Sequence, residues 1–346
     1  MKAVYLTKFG SPEEAFEIRE VEKPEIKDQQ VLIKVEAFGL NFADVLARKG
    51  LYPEVPDRPC VIGYEVVGKI EACGKDVPES FLGKRVVALT RFGGYAEYAA
   101  TDYRAVGELE ANYPAEKAMA LATQYTTARV CFKEYQNLYE KDRVLVHAAA
   151  GGVGLALCQM ALNKGCEVFA TAGSDHKLKF LQTLGVQHTI NYRENDYAKV
   201  IRKKLKGHRL DATFNSLAGK SVKKDLKLLG AGGRLMLFGA ASRVGGGSGF
   251  FGALKLLFQT GFYTPLALIM RSKSIIGINI LKLGDYKPEI VAKNLHEVIA
   301  LAQGGSLDPV VKETFGIDEL NRAHLSLEKR GTIGKLVVFW GEQNQV

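Results

Sequence analysis

The segment that most narrows what this chain can fold into is Ala148–Gly154, which reads AAAGGVG. It follows an apolar run, Arg143–Ala149 (RVLVHAA), that reads as a buried strand. It precedes Leu155–Lys164 (LALCQMALNK), whose apolar residues recur at helical spacing. Ala149, Gly151 and Gly154 match the spacing of a dinucleotide-binding turn, with alanine in place of the first glycine. Gly151 keeps a side chain out of the path of a pyrophosphate, and Gly154 lets the helix pack closely on the strand. The amides of Gly152 and Val153 then open the helix at the positive end of its dipole. A bare tight turn uses the same glycines, but the flanking strand and helix supply the context that dinucleotide binding requires.

The alternation of strand and helix continues downstream. Strands are predicted at Glu167–Thr171, His188–Tyr192, Asp211–Leu217 and Arg234–Gly239, with helices at Lys177–Leu184, Tyr197–Leu205 and Ser221–Leu229 between them. Strands separated by helices of about ten residues predict an α/β fold built on a doubly wound parallel (Rossmann) sheet. Residues 1–120 differ in character. Gln30–Phe38 alternates apolar and polar residues, Val61–Ala72 and Lys84–Leu89 are further strand candidates, and Pro53, Pro56 and Pro59 mark a loop. The tail returns to that character, with one helix, Glu289–Gln303, and a strand, Lys335–Trp340. The prediction is a discontinuous catalytic domain, 1–122 with 285–346, around a nucleotide domain, 123–284. A length of 346 residues suits two domains, and Gly245–Gly247 reads as a loop.

A 2′-hydroxyl of NAD wants an acidic residue at the end of the second strand, about 20 residues past the glycine turn. That strand runs into Thr171-Ala172-Gly173-Ser174, with Ala172 where the carboxylate belongs. Without the negative charge there is room for a 2′-phosphate. Ser174 offers a hydrogen bond and Lys177 a point charge, and Tyr192 and Arg193 end the third strand nearby. Asp175 is a counter-signal, but it lies past the strand end and reads as a helix cap. Lys177 also fits an ordinary solvated helix lysine. The expected cofactor is NADPH.

The net charge of +9 raises the question of nucleic acid or an anionic membrane. Ten of the basic residues and only two acids lie between Lys199 and Lys227, a local net of +8. Two solvated helix faces account for that stretch, so the charge is not read as a nucleic-acid footprint. Phe250–Met270 is apolar, but its longest uncharged run, Leu256–Met270, is 15 residues and contains Gly261 and Pro265. That is short of the roughly 20 residues of a spanning helix, and it reads as a buried or interfacial helix with a break. Cys60, Cys73, Cys131, Cys158 and Cys166 form no CxxC pair, and the six histidines show no HxH or HExxH spacing. No bound metal is expected, and a reducing, cytoplasmic setting follows, with no secretory signal at the start. His147, beside the glycine turn, reads as a packed strand residue.

Five features together resemble the medium-chain dehydrogenase/reductases. They are Val35–Asp44 (VEAFGLNFAD), Pro59–Glu65 (PCVIGYE), Gly93–Glu97 (GGYAE), Ala148–Gly154 and the GKLVV strand at the C-terminal end. Within that superfamily the chain resembles the zinc-free quinone oxidoreductases of the zeta-crystallin group, and most of all the vesicle amine transport protein homologues. The resemblance covers nearly the whole chain and implies a GroES-like catalytic domain beside the nucleotide domain. Alcohol dehydrogenases of the superfamily carry a cysteine where Asn41 stands and a histidine where Tyr64 stands. Neither replacement is a good zinc ligand. The resemblance thus implies hydride transfer to an acceptor that is already electrophilic, a quinone or an α,β-unsaturated carbonyl. It assigns Asn41 and Asp44 to the nicotinamide end and Tyr52 to the substrate mouth as a candidate proton donor. It assigns Thr126, Phe238, Gly239 and Asn279 to the nicotinamide. Tyr52 equally suits an aromatic wall, Asp44 a helix cap, and Asn41 a local backbone partner.

Two other functions stay open on the sequence. One is a 2-enoyl-thioester reductase that depends on Tyr52. The other is a vesicle- or membrane-associated protein of the same fold with little catalysis, suggested by the apolar 250–270 insert and the basic 199–227 stretch. By analogy with the superfamily, Ser274–Leu281 is an edge strand that pairs across a two-fold axis in a homodimer.

Overall fold

A computed structural model of the chain describes residues 1–241 and 250–341, the side chains of 250–253 apart. The Gly245–Gly247 loop therefore lies outside the described residues. The chain divides into two compact units, Met1–Thr126 with Ile280–Val346, and Thr127–Asn279.

The first unit opens with strands β1 (Lys2–Leu6), β2 (Phe16–Glu20), β3 (Gln30–Leu40), β4 (Cys60–Val61), β5 (Glu65–Cys73), β6 (Arg85–Leu89), β7 (Tyr98–Asp102) and β8 (Val106–Glu108). Residues 61–72, expected as one strand, are two, because the chain leaves the β-conformation at Ile62–Tyr64, where Gly63 has φ +104°. In β3 Val31–Ile33 are all buried, and the faces alternate only from Ile33 to Glu36, with Lys34 and Glu36 exposed. Residues Ala37–Leu40 are then buried on both sides, so the strand drives into the core and delivers Asn41 there.

The second unit supplies β9 (Arg143–Val146), β10 (Glu167–Ala172), β11 (His188–Asn191), β12 (Leu210–Asn215), β13 (Leu229–Leu237) and β14 (Ser274–Gly277). They form one parallel sheet in the order β11-β10-β9-β12-β13-β14. The order reverses between β9 and β12, the switch point at which open α/β sheets bind ligands. Helices Gly152–Asn163, Asp175–Thr183, Tyr197–Leu205 and Lys220–Leu228 connect the strands. The last two carry most of the basic stretch on exposed positions while burying Ile201, Leu205, Val222 and Leu226.

The apolar 250–270 segment forms two helices, Phe250–Thr260 and Pro265–Ile269, broken at Gly261, where φ is +95°. It is not buried. Phe262 is 71% exposed and Met270 78% exposed. Among the described residues no helix is long and apolar enough to cross a membrane.

The chain then returns to the first unit with a helix, Pro288–Gln303, and strands β15 (Val311–Gly316) and β16 (Lys335–Phe339). The seven-stranded sheet of this unit runs β15-β16-β3-β5-β6-β8, with β7 also on β3, and a smaller sheet runs β2-β1-β4. Both β16 and β5 lie antiparallel to β3. The end of β3 is therefore flanked by the beginnings of two other strands. Leu40, Glu65 and Lys335 converge for that reason alone.

Candidate active site and cofactor-binding edge

In the first unit the sheet geometry gathers a buried polar cluster. Lys335 Nζ donates to Leu40 O at 3.0 Å, to Asn41 Oδ1 at 3.0 Å and to Glu65 Oε1. Asn41 Nδ2 also donates to Glu65 Oε1, at 2.7 Å, and the Thr123 amide donates to Glu65 Oε2 at 2.8 Å. Lys335 and Glu65 are fully buried. Gly39 makes the arrangement possible: a Cβ there would lie 2.4 Å from Lys335 Cε and 2.6 Å from Glu65 Oε1. Both long side chains cross β3 over its one bare position.

Asn41 and Asp44 sit at the start of the helix Phe42–Arg48. The Asn41 N–H donates to Asp44 Oδ2 at 2.6 Å, so Asp44 does cap the helix. Its other oxygen, Oδ1, is buried without a hydrogen-bond partner. Burial pushes the Asp44 carboxyl up to about 8, against the pull of the Asn41 amide and of Lys335. The group is a neutral acid at mid pH. The Asn41 side-chain amide is committed at both ends, to Glu65 and to Lys335.

Tyr52 is half-buried, its ring edge-on to Tyr64 with centroids 6.1 Å apart; Phe92 lies 5.3 Å beyond Tyr64. Tyr64 Oη is buried without a partner, and burial, helped by Asp44, holds its phenol protonated. Tyr52 is raised as well, by burial first and then by Glu54. Glu54 is ion-paired with Arg91 at 3.0 Å and Lys282 at 3.3 Å. Thr126 is fully buried and donates to Leu121 O at 2.9 Å.

In the second unit, parallel strands put all their carboxyl ends on one edge. Ala149–Gly154 follow β9, Gly173 and Ser174 follow β10, Tyr192 follows β11, Phe238 and Gly239 follow β13, and Asn279 follows β14. The strand expected over Arg143–Ala149 stops at Val146, because Ala148 turns to φ +48°, a conformation that no strand accepts. The Gly151 amide donates to Ala148 O at 2.9 Å, and the helix starts at Gly152. A Cβ on Gly154 would lie 2.5 Å from Ala148 O and 2.7 Å from Ala149 Cα, so only glycine lets the helix seat on the turn.

Beside it, a Cβ on Gly173 would lie 2.7 Å from Tyr192 Oη and 3.1 Å from Arg193 Nε. Lys177, half-buried, is pushed down in pKa by burial and by the Arg193 charge. Two carboxylates lie near this corner, and Asn191 Nδ2 donates to both, to Asp175 Oδ1 at 3.2 Å and to Glu194 Oε1 at 2.9 Å. Ser174 is the N-cap residue of the helix Asp175–Thr183.

Sequence reasoning missed Glu65 and Lys335 as parts of a site. Each stood in a quoted motif, but only the register of β16 and β5 against β3 joins them. Among the described residues, no three His, Cys, Asp or Glu side chains converge as a metal-binding group.

Comparison with known proteins agrees with this architecture. Residues 27–111 match the alcohol dehydrogenase GroES-like domain, and residues 152–293 match the zinc-binding dehydrogenase domain. The zebrafish (Danio rerio) synaptic vesicle membrane protein VAT-1 homolog is 31% identical over 97% of this chain and 69% of its own length. Human quinone oxidoreductase is 30% identical over 98% of both chains. The structure of mycobacterial Rv1454c complexed with NADPH superposes with a TM-score of 0.84 at 28% identity, over 98% of this chain and 100% of the other.

Proposed function

Because the chain belongs to the medium-chain dehydrogenase/reductase family, in its quinone oxidoreductase group, we propose that it is an NADPH-dependent reductase. It works without zinc and acts on a quinone or an α,β-unsaturated carbonyl. The observation that carries the reading is the corner of the second unit where Gly173 is roofed by Tyr192 and Arg193 next to Lys177, one strand over from the glycine turn. A cationic corner of this kind, with its nearby carboxylates Asp175 and Glu194 both held on Asn191, suits a 2′-phosphate.

On this reading Ala149, Gly151, Gly152, Val153 and Gly154 receive the pyrophosphate, and Gly173, Ser174, Lys177 and Tyr192 receive the adenosine 2′-phosphate. Thr126, Phe238, Gly239 and Asn279 serve the nicotinamide. Bound NADPH supplies the hydride. Tyr52 is the proton donor, since it is the half-buried phenol of the aromatic group. Asn41 acts by bridging Glu65 and Lys335, and Asp44 as a neutral acid behind Tyr64. Residues 1–122 with 285–346 form the catalytic domain and 123–284 the nucleotide domain.

The donor set does not fit zinc. Glu65 has an ammonium and two N–H donors on its oxygens, Asn41 is a neutral amide, and Tyr64 keeps its proton. Lys335 already supplies the cation that a metal would bring.

The test is oxidation of NADPH on addition of a panel of quinones and 2-alkenals. Turnover with any of them supports the reading. A folded protein that binds NADPH and turns over none of them overturns the acceptor class.

A second reading has its own observation. Phe258, Phe262, Leu266, Ile269 and Met270 are exposed, with Lys220, Lys223, Lys227, Arg271 and Lys273 on neighbouring elements. Apolar and cationic residues together suit an anionic membrane surface. The place of β14 at the end of the sheet among the described residues and the same apolar residues also suit a homodimer. Sedimentation with anionic liposomes, beside a measurement of solution mass, separates the two. The five free cysteines support a cytoplasmic setting.

A further inference from the structure

Next to the glycine turn lies a buried polar network that the proposed chemistry does not use. His147 follows β9 directly and is 1% exposed. Its Nε2 donates to both carboxyl oxygens of Asp225, at 3.1 and 3.0 Å, and its Nδ1 pairs with Thr171 Oγ1 at 3.1 Å. Its ring stands edge-on to Tyr197 with centroids 4.9 Å apart. Asp225 in turn accepts from Tyr197 Oη at 2.8 Å and Asn215 Nδ2 at 2.6 Å. The backbone of His147 is held as well, its N–H donating to Phe214 O at 3.0 Å.

The residue that follows is the exception to ordinary backbone geometry. Ala148 has φ +48° although it carries a Cβ, a conformation that glycine adopts freely and alanine does not. Ala148 is exposed, so no packing of its own side chain holds it there. It is held from both sides. His147 is pinned in front of it, and behind it the Ala149 N–H donates to Thr171 O at 3.0 Å. Thr171 thus grips the turn twice, His147 through its hydroxyl and Ala149 through its carbonyl. Sparsely populated backbone conformations persist where the surroundings over-determine them, and they gather at functional sites. The consequence here is visible: the Ala148 carbonyl turns onto the Gly151 amide, and the helix that follows begins one residue later.

We propose that His147 is a positioning residue for the cofactor. Anchored on Asp225 and Thr171, it holds Ala148 left-handed, and that conformation aims the first amides of the helix Gly152–Asn163 at the pyrophosphate. The inference rests on the NADPH reading of the turn. It adds that the turn is preorganised from beneath by a buried network rather than by its glycines alone.

The test uses the full chain with two variants, His147→Phe and the milder Thr171→Val, each with and without Ala148→Gly. NADPH affinity, thermal midpoint and amide hydrogen exchange at Gly151 without cofactor are measured. Both variants are expected to bind NADPH about five- to tenfold more weakly and to exchange the Gly151 amide faster. Ala148→Gly is expected to recover at least half of each loss on a logarithmic scale, because glycine needs no clamp to hold a positive φ. A purely structural role predicts a lower thermal midpoint with unchanged affinity and no response to Ala148→Gly, and that result overturns the proposal. If His147→Phe does not fold, Thr171→Val decides by the same criteria. A wild-type chain that binds no dinucleotide overturns the assignment of the turn and the cofactor role of His147 with it. Gly151 exchange unchanged in a chain that does bind NADPH overturns the positioning role alone.

Discussion

Lys335 seats its ammonium on the carboxylate of Glu65, both side chains fully out of solvent and crossing above Gly39. The two residues are 270 positions apart in the chain, and one pair of antiparallel neighbours of β3 brings them together. Removing one partner of such a pair strands a buried charge, a loss of about 3–5 kcal/mol. Lys335→Met is therefore expected to lower unfolding free energy by that amount in chemical denaturation. Adding Glu65→Gln should recover a large part of it. A near-zero effect of Lys335→Met would mean that the pair is not ionised in the fold.

Asp44 sets a dependence on pH from the alkaline side. Its carboxyl is held up to about 8 in the fold, against an unfolded value of about 3.9. Between those values the folded chain keeps a proton that the unfolded chain loses, so stability falls as pH rises from about 4 to about 8. Asp44→Asn keeps the cap acceptor and removes the titration. Unfolding curves at pH 5 and pH 8 should differ by several kcal/mol less in this variant than in the parent chain.

His324 works in the acid range with the opposite slope. It is fully buried, its Nε2 is 3.2 Å from Tyr95 Oη, and burial with the Arg48 charge lowers it to about 3. The unfolded histidine titrates near 6.5, so on acidification the unfolded chain takes up a proton that the folded chain refuses. Stability from this group is complete above about pH 6.5 and is lost as pH falls toward 3. His324→Gln should flatten the denaturation midpoint between pH 6.5 and 4; an unchanged slope would refute the assignment.

The 2′-phosphate corner predicts a change of preference. Lys177→Ala is expected to weaken NADPH by about ten- to a hundredfold, the worth of a charge-assisted bond of roughly 1.5–3 kcal/mol, and to leave NADH nearly unchanged. Gly173→Ala should act in the same direction, because its methyl meets Tyr192 Oη and Arg193 Nε. Dissociation constants for both cofactors settle it. Equal losses for NADPH and NADH would place the phosphate elsewhere.

Tyr52 separates two classes of acceptor. A reduced quinone takes its protons from water, whereas the α-carbon of an enoyl substrate needs a positioned donor. Tyr52→Phe is expected to abolish enoyl reduction and leave quinone reduction largely intact. Equal activity of the variant toward both would make Tyr52 an aromatic wall next to Tyr64.

Much of the second unit was legible because its signals are local. Apolar strands, helices of about ten residues and the AAAGGVG turn each lie within a dozen residues, and periodicity alone reads them. The apolar 250–270 segment was legible as a helix with a break, but composition could not separate a buried helix from an interfacial one. Phe262 and Met270 face outward where their hydropathy argued for cover. The strand before the glycine turn was drawn too long because RVLVHAA is apolar throughout. Only the backbone reveals that Ala148 has left the strand.

By itself the sequence determined the parallel sheet, the position of the glycine turn and the lack of an acid at Ala172, since each depends on neighbours a few residues away. Tertiary structure alone decided the rest. Whether Asp44 is charged, whether Asn41 is free to donate, and what His147 does all depend on which distant groups share its burial. Glu65, Lys335, Asp225 and Thr171 are those groups. A side chain's chemistry follows from its solvent and its partners, and strand register, rather than sequence distance, assigns both.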